Sequence, residues 1–188
     1  MPKFVITGAS GGGKSTLIDA LAAEGYATVP EVGRQIVAEQ LAAQGSALPW
    51  LDQTAFMDLL FARSVAAFDQ AVGADDRVVF FDRSFLEALA YCTVIGRPVP
   101  QVMLQAAAAR KFETPVFVCP PWQEIFLTDR ERRHDFDFAL RDHAANVAAY
   151  EAAGYRLVEV PRAPVQARVA FIRQTLGDLS EPSPSNPV

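Results

Sequence analysis

Cysteine, histidine and tryptophan each occur only twice in this sequence of 188 residues. Cys92 and Cys119 have no partner at metal-ligand spacing, and neither do His134 and His143, so the chain carries no zinc-type ligand cluster. Two cysteines are also too few for a disulfide scaffold of this length, and their apolar surroundings predict buried, reduced thiols. The histidines are expected at the surface. An excess of positive charge is missing as well: 17 Lys and Arg stand against 22 Asp and Glu, for a net charge of −5. That argues against nucleic acid or an anionic membrane as the main partner. No apolar run reaches transmembrane length, and no basic flank with a long apolar stretch marks a secretory leader, so a soluble cytoplasmic protein is expected. Internal repeats are absent. What is present is a 51% share of hydrophobic residues against 21% charged ones. That suits one compact domain, placed at residues 1–176. Residues 177–188, with three prolines, read as a disordered tail.

The most informative stretch is Gly8-Ala9-Ser10-Gly11-Gly12-Gly13-Lys14-Ser15-Thr16. It fits G-x-x-x-x-G-K-[ST], the loop that cradles the phosphates of a nucleoside triphosphate. A short apolar run at 3–7 precedes it and a helical pattern at 17–23 follows, as the mechanism requires. Glycines let the backbone approach a phosphate without a Cβ, and successive N–H groups at a helix N-terminus face the anion. Lys14 would reach the β- and γ-phosphates, and Ser15 would coordinate Mg²⁺.

Strand and helix patterns then alternate. Strands are expected at 27–29, 77–81, 115–119 and 155–160, and helices at 31–44, 49–72, 84–94, 102–110, 142–153 and 165–176. Such alternation implies an α/β fold with a parallel sheet covered on both faces. Ligands bind beyond the carboxyl ends of such strands. The loop from Gly8, Pro30-Glu31, Asp82-Arg83 and Pro120-Pro121-Trp122 should therefore converge on one cleft.

Each rim residue has two readings. Asp82, at the end of an apolar strand, suits a second acid directed at Mg²⁺, or a cap for the helix that follows. Arg83 suits a bidentate clamp on a substrate oxygen, or a surface arginine. Glu31 could accept a proton from a substrate hydroxyl, or be an ordinary first-turn glutamate with Arg34 on its face. The charged stretch with Arg130, Arg132 and Arg133 suits a lid over the triphosphate at about 128–140, or a solvated charged helix. Arg63, inside the apolar stripe of the long helix, could enter the substrate cavity or snorkel to solvent. Trp50, Phe56, Phe61 and Trp122 read as core, Trp122 being the least certain of a bland role.

Taken together, the phosphate loop, Val29-Pro30-Glu31 with Arg34, Phe81-Asp82-Arg83-Ser84 and the arginine-rich segment resemble a small P-loop kinase. The sequence is similar to the family that includes the ribosylnicotinamide kinase domain of the bacterial NAD regulator, and more distantly to deoxynucleoside and thymidylate kinases. The resemblance spans about residues 3–176. It implies a three-layer fold with a five-stranded parallel sheet of order 2-3-1-4-5. It also implies Glu31 as base, Ser15 and Asp82 at Mg²⁺, Arg83 and the lid residues Arg130 and Arg133 at the reacting groups, and the turn at Val160-Pro161-Arg162 near adenine. The base-selecting motif of deoxynucleoside kinases is absent, as is a separate adenylyltransferase domain. The expected activity is ATP- and Mg²⁺-dependent phosphoryl transfer to a small hydroxyl-bearing metabolite, a nucleoside among them. The alternative is a regulatory ATPase or GTPase switch without a small-molecule acceptor. The sequence expresses no oligomeric state.

Overall fold

The computed structural model describes residues 1–71, 77–127 and 135–180. Largely apolar runs form the middle of the sheet: β1 (Lys3–Gly8), β3 (Val79–Asp82) and β4 (Val116–Cys119), buried at every position but Lys3. The shorter β2 (Ala27–Val29) and β5 (Leu157–Glu159) are only partly covered and form its edges. All pairs are parallel, in the order β2-β3-β1-β4-β5. A parallel sheet needs both faces covered, which is why its central strands lack the alternation of a half-exposed strand.

Seven helices do the covering among the described residues: α1 (Lys14–Ala23), α2 (Val32–Ala42), α3 (Gln53–Gln70), α4 (Phe85–Val94), α5 (Gln101–Ala108), α6 (Phe136–Ala152) and α7 (Val165–Ser180). Successive strand residues point to opposite faces. Phe4, Ile6, Phe80 and Phe117 pack under α1 and α7. Val5, Phe81 and Val116 pack against α2 to α6. On that second side Phe68, Phe85 and Phe112 form an aromatic cluster with ring centroids 4.8–5.7 Å apart.

Several element ends differ from the sequence expectation, each for a local reason. The helix expected from residue 142 begins at Phe136, because the Asp135 side chain accepts the Phe138 N–H at 2.8 Å and caps it. Residues 136–140, placed in the lid by the sequence, are therefore the first turns of α6. The long helix begins at Gln53 rather than 49, capped by Asp52 through the Ala55 N–H at 3.0 Å. Asp82 is the last residue of β3 rather than the first beyond it, opposite Ile6 in the ladder. α7 runs to Ser180, past the expected end at Leu176. The rest of the expected tail, 181–188, lies outside the described residues.

The register fixes the site. Gly8 lies opposite Cys119, Ile6 opposite Asp82, and Val29 opposite Phe81. The carboxyl ends of β1 to β4 thus finish along one edge, and the segments that leave them meet there.

Candidate active site

The loop between β1 and α1 turns where only glycine fits. Gly8 has φ of +121°, and a Cβ there would lie 2.0 Å from the Cys119 carbonyl oxygen. Gly13, with φ of +73°, stands immediately before α1, so the loop delivers its N–H groups at a helix N-terminus. Ala9 N–H donates to the Cys119 carbonyl and Gly12 N–H to that of Ala9, both at 3.0 Å, tying the loop to β4 and to itself. Lys14 is buried and donates to the carbonyls of Ala9 at 2.8 Å and Gly8 at 3.2 Å. Burial, and then the nearby Arg83 charge, hold its ammonium below the usual lysine range. Ser10 borders the cavity described below, while Ser15 and Thr16 are exposed.

Ser15 Oγ donates to Asp82 Oδ2 at 3.3 Å. Asp82 is only 4% exposed, and its Oδ1 is buried without a hydrogen-bond partner. Burial first, and the Glu31 charge second, push its carboxyl up to about 6. Asp82 does not cap α4; Ser84 does, accepting the Leu86 N–H at 3.1 Å. A hydroxyl and an orphaned carboxylate oxygen together are the hard donors that Mg²⁺ takes when phosphates and water complete its shell. Among the described residues no cluster of three His, Cys, Asp or Glu side chains could hold a metal by itself. The residues present therefore fit a magnesium ion that arrives with a triphosphate.

Arg83 is the hub of the opposite side. Its backbone has φ of +71°, rare for a residue with a Cβ, and its N–H is held by the Ile6 carbonyl at 3.1 Å. The guanidinium is not at the surface. Its Nη1 donates to Glu87 and lies 3.8 Å from Asp142 Oδ2, and its Nε lies 3.3 Å from Glu31 Oε1. Burial alone would lower its pKa, but Glu87, Glu31 and Asp142 outweigh that and hold it above the ordinary arginine value. Glu87 also accepts from Thr7 and, at 3.4 Å, from Tyr150, whose hydroxyl lies 2.6 Å from Ser84 Oγ. Glu31 stands just before α2 without capping it, 3.7 Å from Arg34 as well.

Thr7, Glu87, Asp142 and Tyr150 were not singled out in the sequence. Glu87 was within reach of sequence reasoning, since it lies one helical turn after Arg83. Asp142 and Tyr150 come from α6 and carry no local signal. His143, expected at the surface, is half-buried with an unpartnered, buried Nδ1. Burial, with Lys14 second, lowers its pKa. Arg63 avoids the cavity and pairs with Glu39 across α2 and α3.

A cavity of about 320 Å³ opens at this edge. Glu31, Asp82, Arg83 and Asp142 line it, with Ser10 of the phosphate loop and the rings of Trp50, Phe56, Tyr91 and Phe138. Trp50 is thus a wall residue, not core. A second hollow of about 570 Å³ between α4, α5 and α6 is lined mostly by alanine and leucine and contains none of these acids. The chemistry, rather than the volume, identifies the first as the site.

Arg130 and Arg133 lie outside the described residues. Phe126 and Phe136, which flank that stretch, meet edge to face with centroids 5.3 Å apart. A Cβ on Gly11 would touch the Phe126 ring at 2.6 Å. Phe126 and Phe136 are thus in contact beside the phosphate loop.

A Gly-rich loop ending in Lys-Ser between β1 and α1, on this strand order with Asp82-Arg83 at the next strand end, defines the P-loop kinase fold. A sequence model of the AAA domain family matches residues 3–168, and the chain belongs to that family. Solved structures with the same fold include a deoxyadenosine kinase from M. mycoides with bound dATP, at 14% identity and a TM-score of 0.59 over 93% of this chain and 99% of that one. A thymidylate kinase from Ehrlichia chaffeensis is also 14% identical, with a TM-score of 0.62 over 93% and 98% of the two chains. The NadR protein in complex with NR is 15% identical, with a TM-score of 0.72 over 94% of this chain and 51% of that one. No curated protein matches the chain significantly. The kinase group resembled by the motifs is thus the group that shares the fold.

Proposed function

We infer that this protein transfers the terminal phosphoryl group of ATP to a hydroxyl of a small metabolite. The observation that carries this reading is the cavity of about 320 Å³ that joins Glu31, Asp82 and Arg83 to the phosphate loop. It is of the size that small-molecule sites occupy. A nucleotide switch needs no such space beside its phosphate loop. The rival reading, a regulatory ATPase or GTPase, would be served as well by packing it shut.

The chemistry is mostly positioning and electrostatics, as phosphoryl transfer requires. Loop N–H groups and Lys14 hold the phosphates. Ser15 and Asp82 would hold Mg²⁺, which when bound would neutralise negative charge on the phosphates. Glu31 accepts the proton of the attacking hydroxyl, and its ion pairs with Arg34 and Arg83 orient it. Arg130 and Arg133, outside the described residues, would add positive charge to stabilise the transferring group.

Arg83 is engaged by three carboxylates, Glu31, Glu87 and Asp142. It is therefore poorly placed to clamp a phosphate already present on the acceptor. That favours an uncharged or cationic acceptor, a nucleoside being one, over a phosphorylated one. The test is a metabolite-panel phosphorylation assay with ATP and Mg²⁺, run beside Lys14→Ala. The reading expects one hydroxyl-bearing acceptor class to be phosphorylated by the wild type and not by the variant. ATP hydrolysis with no acceptor phosphorylated would move the case to the regulatory reading.

A further inference from the structure

Arg168, in the first turn of α7, is 3% exposed and takes no part in the acceptor pocket. Its Nη1 donates to the Gly13 carbonyl and its Nη2 to the Gly12 carbonyl, each at 3.1 Å. Nη2 also lies 2.9 Å from Cys119 Sγ, and the guanidinium carbon is 6.0 Å from the Trp122 ring centre. Every one of these neighbours is neutral. Among the described residues no carboxylate pairs with Arg168, and its buried Nε has no acceptor. Arg83, the other buried arginine near the loop, has three carboxylates around it.

Two consequences follow from this placement. In a planar trans peptide the C=O and the N–H point in opposite directions. Holding the Gly12 and Gly13 carbonyls toward α7 therefore turns the N–H groups of Gly13 and Lys14 away from α7, toward the side where an anion would sit. The fit leaves no room for a side chain, since a Cβ on Gly13 would lie 2.6 Å from Arg168 Nη1. Second, a buried charge with only neutral contacts is costly to keep. It leaves a positive charge behind the phosphate loop, and an anion on the far side of the loop would supply what is missing.

We propose that Arg168 is a positioning residue for the nucleotide's phosphates, orienting the loop N–H groups and adding a positive charge behind them that no carboxylate neutralises. The proposal rests on the nucleotide-binding part of the reading above, not on the acceptor. Calorimetric titration of the full chain with ATP, and separately with inorganic tripolyphosphate, tests it. Wild type is compared with R168Q, R168K and I172V, the last a core change on the same helix at a fully buried position. Thermal midpoints are recorded for all four.

R168Q is expected to bind both ligands about tenfold or more weakly, the scale of a charged hydrogen bond. R168K keeps the charge but cannot fork onto two carbonyls, so a smaller loss, about threefold, is expected for both. I172V is expected to keep wild-type affinities whatever its midpoint. Unchanged tripolyphosphate affinity in R168Q overturns the proposal. So does a loss confined to ATP, which would place Arg168 on the base side of the nucleotide. An equal loss in I172V reduces the effect to general destabilisation and also overturns it. Should R168Q fail to fold, R168K decides, and wild-type tripolyphosphate affinity there sinks the idea. If the wild type binds neither ligand, the nucleotide reading itself falls and takes this one with it.

Discussion

The phosphate loop, the first half of the proposed site, lies within Gly8 to Thr16 together with the helix turn it feeds. The proposed acceptor half draws Glu31, Arg83, Glu87 and Asp142 from four places along the chain: the entry to α2, the end of β3, α4 and α6. The first half works through backbone N–H groups, and its carbonyls are held by other parts of the fold. The second sets three carboxylates around a single buried arginine. A loop of backbone donors can be specified by glycines at fixed spacing. A ring of carboxylates around an arginine exists only once distant helices are packed together.

If this contrast is right, damage to the two halves separates into different observables. The largest expected effect is on stability in the acceptor half. Glu87→Ala leaves Arg83 short of its nearest counter-charge and strands Thr7 and Tyr150, and a cost of about 3–5 kcal/mol is expected from denaturant unfolding. A loss under about 1 kcal/mol would mean that the carboxylates are interchangeable.

Next comes the junction of the halves, Asp82. Its carboxyl is pushed up to about 6 in the folded protein, against about 4 in an unfolded chain. Below pH 4 both states hold the proton and nothing changes. Between 4 and 6 the unfolded state releases it first, so stability falls as pH rises, and it levels off above 6. The fall attributable to Asp82 is expected to be roughly 3 kcal/mol without nucleotide or metal. Asp82→Asn should remove that slope, which unfolding curves between pH 4 and 7 would show. An identical slope in the variant would assign it to other groups.

Glu31→Gln sharpens the contrast in function. Phosphoryl transfer is expected to fall by roughly 10²-fold, the usual worth of a general base, while ATP affinity stays at the wild-type value. Collapse of ATP binding along with turnover would make Glu31 a metal-site or structural residue. Lys14→Ala is the reciprocal change. Triphosphate binding is expected to weaken by about 1.5–3 kcal/mol, with the unfolding midpoint in the absence of ligand little altered. Equal ATP affinity in calorimetry would remove the phosphate loop from the nucleotide site.

The smallest effect is expected outside both halves. Arg63 pairs with Glu39 at the exposed junction of α2 and α3. Arg63→Ala should cost less than about 1 kcal/mol, as exposed ion pairs do. A measurable change in acceptor KM would show that the cavity wall extends further than its lining indicates.

How much was legible in the sequence follows the same division. The phosphate loop, the alternation of strands and helices, the buried thiols and the convergence of strand ends needed only local pattern. Glycine spacing, apolar runs and periodicity act over a few residues, so they survive in a linear reading. The sheet order came from the resemblance of motifs to a kinase group, and the strand register agrees with it. The helix start at Phe136 was missed because its cap, Asp135, is hidden inside a charged run. Trp50, read as core, turned out to be a cavity wall, because composition does not say on which side of α3 a space is left open.

By itself the sequence determined the phosphate loop and its neighbour: glycines that allow positive φ, a lysine and a hydroxyl at one helix start, and a carboxylate at the next strand end. Only the tertiary structure decided the rest. It buried Asp82 and left one of its oxygens without a partner, surrounded Arg83 with three carboxylates, and set Arg168 of the last helix against the carbonyls of Gly12 and Gly13. Burial and charge pairing between residues far apart in the chain depend on how helices pack across the sheet, and no spacing along the chain encodes them.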